Sequence, residues 1–220
     1  MCVFDWIAVP LDIRLIVFAK APVAGQVKTR LQPRLSPIAA AALHRDLIVR
    51  ALSMARMADI GPLELCCAPD STHPFFAECA DRFGARLSEQ GRGDLGARMG
   101  LALSRALRSG AAAVLIGTDC PAMTAAELSA AAECLHEDDD VVVGPAEQGR
   151  YVLIGTRRPV WDIFRDIDWS SGTVLAATRR RLQAAGVGWR ELPLLWELER
   201  PADYDRYLAL VAEEGQTLAG

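Results

Sequence analysis

The stretch Phe18 to Leu31, FAKAPVAGQVKTRL, places Lys20, Gly25, Lys28 and Arg30 directly after the apolar run Leu15, Ile16, Val17. Where a strand opens into a Gly-containing basic loop, free backbone N–H groups and cationic side chains converge, which suits a nucleotide's phosphates. No acidic residue occurs between Ile13 and His44, whereas Arg14, Lys20, Lys28, Arg30 and Arg34 all do. In a chain of net charge −4 that local excess points to an anionic ligand, with a solvated basic loop as the alternative. The spacing is neither the G-x-x-x-x-G-K-[ST] loop nor the G-x-G-x-x-G fingerprint.

Three carboxylates complement the loop. Asp119 follows the apolar run Ala112 to Gly117, at the end of a strand where ligands of open α/β sheets bind. It is therefore the candidate ligand for a hard cation such as Mg²⁺ or Mn²⁺, which takes one or two carboxylates plus substrate phosphates. Glu197 and Glu199 lie two apart, so in an extended segment both point to one side and supply further ligands; a solvated helix entry is the alternative. The acidic run Asp138 to Asp140 precedes its strand, faces the opposite end of the sheet and reads as a solvated turn.

Elements at regular spacing must hold these groups in place. Ser36 and Pro37 open a helix to about Ala58. Leu63 to Ala68 reads as a buried strand, Pro74 to Phe83 as a helix, and ARLSE as a short strand entering a loop with Gly91, Gly93 and Gly96. A helix from Leu95 to about Ser109 precedes the strand ending at Gly117, and Thr124 with Glu127 forms a capping box for a helix to about His136. Val141 to Val143 is a strand; Tyr151 to Ile154 returns antiparallel at the sheet edge; Val160 to Ile167 and Thr173 to Ala185 are helical. Trp189 to Leu192 is a strand, and a last helix follows Pro201. Strands and helices alternating in this way predict a three-layer α/β/α domain with a mostly parallel central sheet. Residues 1–12 read as an N-terminal extension and 13–220 as a single nucleotide-binding domain, since no Pro/Gly/Ser-rich linker divides the chain.

Composition narrows the function classes. The 51% apolar and 24% charged shares are those of a globular protein, and no apolar run reaches the roughly 18 residues of a membrane span. The N-terminus lacks a basic leader, so no signal peptide is expected. Six cysteines show no C-x-x-C spacing and fit reduced thiols in a cytoplasm; the scattered histidines His44, His73 and His136 offer no zinc motif. A small-molecule enzyme rather than a nucleic-acid binder is the expectation.

Four segments carry a resemblance: LIVFAKAPVAGQVKTRL, EQGRGDLGARM, LIGTDCPAM and VVVGPAEQGRYVLIG. In this order, over roughly residues 14–210, the chain resembles a bacterial family of uncharacterised transferases with the GT-A, or nucleotide-diphospho-sugar transferase, fold (DUF2064, the rSAM-selenodomain-associated transferase 1 type). That family is similar to the guanylyltransferase of phospholactate and to molybdenum-cofactor nucleotidyltransferases. By position, the resemblance implies that Lys20, Gly25, Lys28 and Arg30 line the nucleotide phosphates. It further implies that Gln90, Asp94 and Gly96 approach the nucleoside, and that Asp119 holds Mg²⁺ or Mn²⁺. The residues themselves leave Gln90 and Asp94 open as turn residues. It implies metal-dependent sugar transfer from a nucleotide-diphospho-sugar to a small acceptor, with Lys28 and Arg30 neutralising the diphosphate and Asp119 holding the catalytic metal. Nucleotidyl transfer with release of pyrophosphate is the second expectation, and a catalytically inactive nucleotide binder the third.

Two departures bear on the acceptor side. Where the family shows D-G-G-Y, this chain has Gln148-Gly149-Arg150-Tyr151, and where it shows D-x-D-T-P-x-D-L, this chain has Glu197 to Tyr204, with carboxylates retained at 197 and 199. Arginine presents a planar, permanently charged group with five donors, so Gln148 and Arg150 beside Tyr151 make an anion site and predict an acidic or phosphorylated acceptor. The alternatives are an Arg150 that turns into solvent or folds across the pocket.

Overall fold

Leu15, Val17 and Ala19 enter one hydrophobic core and Ile16 and Phe18 a second, so the first strand, β1 (Ile13–Lys20), is buried on both faces. Continuous apolar strands of this kind belong in a sheet covered on both sides. The structure, a computed structural model, describes residues 12–110, 112–137 and 139–217; the extension expected at residues 1–12 falls almost entirely outside them.

Six further strands complete the sheet: β2 (Leu63–Ala68), β3 (Arg86–Glu89), β4 (Ala112–Ile116), β5 (Val141–Ala146), β6 (Arg150–Thr156) and β7 (Trp189–Glu191). Their order is β3-β2-β1-β4-β6-β5-β7. All pairings are parallel except those of β6, which runs antiparallel to both β4 and β5. The antiparallel return is thus as expected, but its place is not at the edge: β6 lies inside the sheet. With every residue from Val152 to Thr156 buried, an edge position would have left an apolar strand half open to water.

Helices α1 (Pro37–Ala58), α2 (Pro74–Phe83) and α4 (Ala125–His136) cover one face through Ile48, Leu52, Phe76 and Leu128. Helices α3 (Leu95–Leu107) and α5 (Val174–Ala184) cover the other through Met99, Leu103, Leu175 and Leu182. The three layers expected from the sequence are present. The expected caps form as well. Ser36 Oγ accepts from Ala39 N at 3.2 Å with Pro37 at the first position of α1, and the Glu127 carboxylate accepts from Thr124 N at 2.7 Å at the start of α4. The helix expected over Val160 to Ile167 is only a 3-10 turn, Trp161–Phe164, which packs Ile163 and Phe164 into the second core.

A smaller third cluster fixes the site. Leu31 from the basic loop, Leu43 and Leu47 from α1, and Trp196 and Leu198 from the C-terminal segment pack together, with Tyr204 and Tyr207 of the last helix, α6 (Pro201–Thr217), against them. The extended run from Trp196 to Glu199 therefore buries its even-numbered residues and turns Glu197 and Glu199 the other way. Leu198 N donates to Asp119 O at 2.7 Å, which locks that run beside the end of β4.

Candidate functional site

Strand order reverses between the parallel neighbours β1 and β4. From β1 the chain moves outward to β2 and β3, then returns to the other side of β1 as β4. A crevice opens beyond the carboxyl ends of strands at such a switch point. Here it holds Lys20 from the end of β1 and Gly117, Thr118 and Asp119 from the end of β4, in a cavity of about 310 Å³. Phe18, Leu115, Met99 and Leu153 form its apolar walls. Two neighbouring hollows extend it past Asp119: one of about 180 Å³ lined by Lys28, Thr29, Arg30 and Glu199, and one of about 190 Å³ lined by Arg150, Tyr151 and Glu197.

The basic loop lines the hollow beside Asp119 with Lys28 and Arg30, and its cations have partners within the chain. Lys28 adopts a left-handed backbone (φ 49°), and its Nζ donates to Leu198 O at 2.7 Å and pairs with Asp119 Oδ1 at 2.7 Å. Only 6% of the Lys28 side chain is exposed, whereas 51% of Asp119 is open to the crevice. Arg30, at the loop's exposed side, pairs with Glu199. Lys20 Nζ donates to Gln26 O at 2.8 Å, leaving two of its three donors for other partners. Gly25, with φ 79°, shapes the turn between them.

Burial pushes the Asp119 carboxyl up, but the Lys28 ammonium, with His44 and Arg150 beyond it, outweighs this and holds it below the usual carboxylate range. The opposite holds for Glu197. Burial pushes its pKa up, the pull of Arg150 opposes, and the charges of Asp119 and Glu199 add to the rise.

Gln90, Asp94 and Gly96 divide. Gln90 lines the cavity, yet its amide is committed: Nε2 donates to Cys66 O at 3.1 Å and Ala19 O at 3.3 Å, and Oε1 accepts from Arg98 Nη1 at 2.9 Å. Asp94 caps α3, accepting from Ala97 N at 2.8 Å. Gly96 is set by packing, since a Cβ there would lie 2.6 Å from Trp169 Cζ2 and 2.7 Å from Phe164 O. Asp94 and Gly96 line a separate groove with Trp161 and Phe164, away from the crevice.

Two residues that sequence reading did not select complete the crevice. Arg98 reaches in from the first turns of α3 and is held by Gln90. His44, 5% exposed on α1, donates from Nε2 to Lys20 O at 3.0 Å; the carbonyl can only accept, so Nε2 carries the proton. Burial is the largest influence on His44 and lowers its pKa from 6.5 despite the nearby Asp119 charge. A polar residue among the apolar positions Leu43, Leu47 and Ile48 is the only signal the sequence offers for it.

Arg150 overturns the expected anion site. Its Nε donates to Glu197 Oε2 at 3.1 Å, its Nη1 to Glu199 Oε1 at 3.0 Å, and its Nη2 to Glu199 Oε2 and, at 3.4 Å, to Gln148 Oε1. A guanidinium so engaged with carboxylates has no fork left for an acidic acceptor. Tyr151, beside it, stacks edge-on against Trp169 with ring centres 6.2 Å apart.

The expected Mg²⁺ or Mn²⁺ can be tested on this donor set. Asp119, Glu197 and Glu199 do converge on one region, as the sequence predicts. Each is already held by a cation of the chain, however: Asp119 by Lys28, Glu197 by Arg150, and Glu199 by Arg30 and Arg150. Among the described residues no group of three or more His, Cys, Asp or Glu side chains is arranged to hold a metal ion. As disposed, these residues do not fit a divalent ion. At the far end of the sheet Asp139 and Asp140 pair with Arg190 and Arg158; the two carboxylates are largely covered rather than solvated as expected, and Asp138 lies outside the described residues. The described cysteines are all free thiols, and burial pushes Cys67 and Cys120 up to about 12. No helix among the described residues is long and apolar enough to cross a membrane.

Residues 51–171 match the family described as Uncharacterized protein conserved in bacteria (DUF2064). No curated protein matches the chain. Among solved structures, a protein of Desulfovibrio desulfuricans G20, provisionally named a nucleotide-diphospho-sugar transferase, is 29% identical over 86% of this chain and 82% of its own, with a TM-score of 0.76. The CMP:2-keto-3-deoxy-manno-octonic acid synthetase complexed with CTP superposes with a TM-score of 0.57 at 14% identity, covering 92% of this chain and 99% of its own. Rv0371c of Mycobacterium tuberculosis H37Rv, in complex with manganese, gives a TM-score of 0.54 at 18% identity over 89% and 97% of the two chains. The last two likenesses establish a shared fold.

Proposed function

The chain belongs to the bacterial family DUF2064, and from that premise we propose that it is a transferase whose donor is a nucleotide-diphospho-sugar and whose acceptor is a small molecule. The observation that carries this reading is the crevice at the β1/β4 switch point, where an apolar cavity adjoins the basic loop. The nucleoside enters between Phe18, Leu115 and Met99, with the Gln90–Arg98 pair at its polar edge. Gln90 acts there by aiming Arg98, and Asp94 and Gly96 by fixing the start of α3 behind it.

The diphosphate then lies toward Lys20, Lys28 and Arg30. In sugar transfer an acceptor hydroxyl oxygen attacks the anomeric carbon, the bond from that carbon to the distal phosphate oxygen breaks, the nucleoside diphosphate leaves with the electron pair, and the hydroxyl proton passes to solvent or to the departing phosphate. Preorganised cations stabilise the charge that grows on the leaving phosphate without reorganising at the moment of reaction. Lys28, fixed by Leu198 O and Asp119, is preorganised in this sense, while Arg30 is exposed enough to exchange Glu199 for a phosphate. The carboxylates expected to hold a divalent ion are engaged by the chain's own cations, so the charge on the leaving phosphate is met by Lys28 and Arg30. Arg150 acts through Glu197 and Glu199 rather than on the acceptor.

A second reading, nucleotidyl transfer, draws on the hollow of about 180 Å³ beside Lys28, Thr29 and Arg30, which has room for a third phosphate. Product analysis separates the two. Released nucleoside diphosphate supports sugar transfer, released pyrophosphate supports nucleotidyl transfer, and saturable binding with no turnover of any donor overturns both in favour of an inactive nucleotide binder.

A further inference from the structure

We propose that the guanidinium of Arg150 is the resident cation of this site and that the chain binds its nucleotide without a divalent ion. The inference rests on the reading of the crevice as a nucleotide site. It begins with Glu197 and Glu199, which the packing of Trp196 and Leu198 turns toward the crevice and which have side chains only 11% and 21% exposed. Two carboxylates so placed cannot remain charged without a cation between them.

Arg150 supplies that cation covalently. Three of its nitrogens are directed at three of the four carboxylate oxygens, and its own side chain is 17% exposed. A planar guanidinium in this fork fills the space a small octahedral ion and its waters would need. Lys28 does the same for Asp119 from the other side, anchored by Leu198 O. Three carboxylates thus meet three cations, Lys28, Arg30 and Arg150, and no net negative charge remains to attract a dication. The sequence departures are consistent in charge: a carboxylate with a dication carries one net positive charge, and so does Gln148 with Arg150.

Manganese binding to the full chain, followed by the loss of the free-ion electron paramagnetic resonance signal, tests this directly, and nucleotide titrations in excess EDTA or excess Mn²⁺ accompany it. The wild-type chain is expected to leave the Mn²⁺ signal unchanged and to bind nucleoside diphosphates equally in both conditions. Arg150→Gly is expected to take up Mn²⁺, and Glu199→Gln added to it to abolish that uptake. If Arg150→Gly fails to fold, Arg150→Lys keeps the charge and is expected to fold and to leave the Mn²⁺ signal unchanged. Stoichiometric uptake of Mn²⁺ by the wild type, or nucleotide binding that disappears in EDTA, overturns the proposal while leaving the nucleotide reading intact. If no nucleotide binds in either condition the nucleotide reading fails, and the Mn²⁺ titration still decides whether Arg150 occupies the cation position.

Discussion

Lys28 carries the site at the scale of single residues. Its left-handed backbone, unfavourable for a side chain with a Cβ by roughly 1–2 kcal/mol, is held by Nζ bonds to Leu198 O and Asp119. Removing the ammonium leaves Asp119 unpaired and takes one cation from the phosphate path. Lys28→Ala is therefore expected to weaken uridine, guanosine and cytidine diphosphates alike, by about tenfold or more, as for loss of a charge-assisted hydrogen bond. Its binding is also expected to depend less on salt. Isothermal titration checks this, and a loss confined to one base would place Lys28 at the nucleoside instead. The cations and carboxylates of the site were legible because charged residues beside strand ends have few structural uses. His44 and Arg98 were not, since each is a single polar side chain on a helix and only the tertiary fold turns it into the crevice. The pairing of Arg150 with Glu197 and Glu199 was not legible, because these partners lie 47 and 49 residues away.

The hairpin from β5 to β6 shows what elements decide. Gly149 has φ 73°, and a Cβ there would stand 1.9 Å from the Gly172 carbonyl oxygen, while its own carbonyl accepts from Leu175 N at 2.9 Å. The turn that presents Arg150 is thus docked on the start of α5. Gly149→Ala is expected to destabilise the fold by more than about 1 kcal/mol, from left-handed strain plus a backbone clash, and to be read as a lowered melting temperature. An unchanged melting temperature would mean that this docking is absent in solution. Periodicity and capping signals gave most elements their place, from Ser36 at α1 to Thr124 at α4. They could not place β6 inside the sheet, because strand order depends on pairing between segments distant in sequence. Nor could they separate the packing role of Gly96 from a ligand-facing one, since the Trp169 ring that needs the space arrives from far along the chain.

For the whole molecule, burial of a neutral His44 links stability to pH. Its folded pKa lies below the 6.5 of the unfolded chain, so below about pH 6.5 the unfolded state binds more protons and stability falls until the folded value is passed. Glu197, raised in the fold, acts in the opposite direction above its usual 4.5, so the comparison is best made against His44→Gln, which keeps Glu197. The urea midpoint of the wild type is expected to drop more steeply on acidification than that of His44→Gln; parallel curves would show that His44 does not titrate on unfolding. The central claim, that the crevice between β1 and β4 is the nucleotide site, is tested by filling it. A Cβ at Gly117, which lines the cavity, would meet no atom within 4 Å, so a side chain can begin there without a clash at its Cβ, and Gly117→Leu adds bulk to the crevice. Nucleotide-induced melting shifts measured across a panel of nucleoside diphosphates and triphosphates are predicted to appear in the wild type and to vanish in Gly117→Leu, with the ligand-free melting temperatures alike. A Gly117→Leu chain stabilised by nucleotide as fully as the wild type would contradict the account.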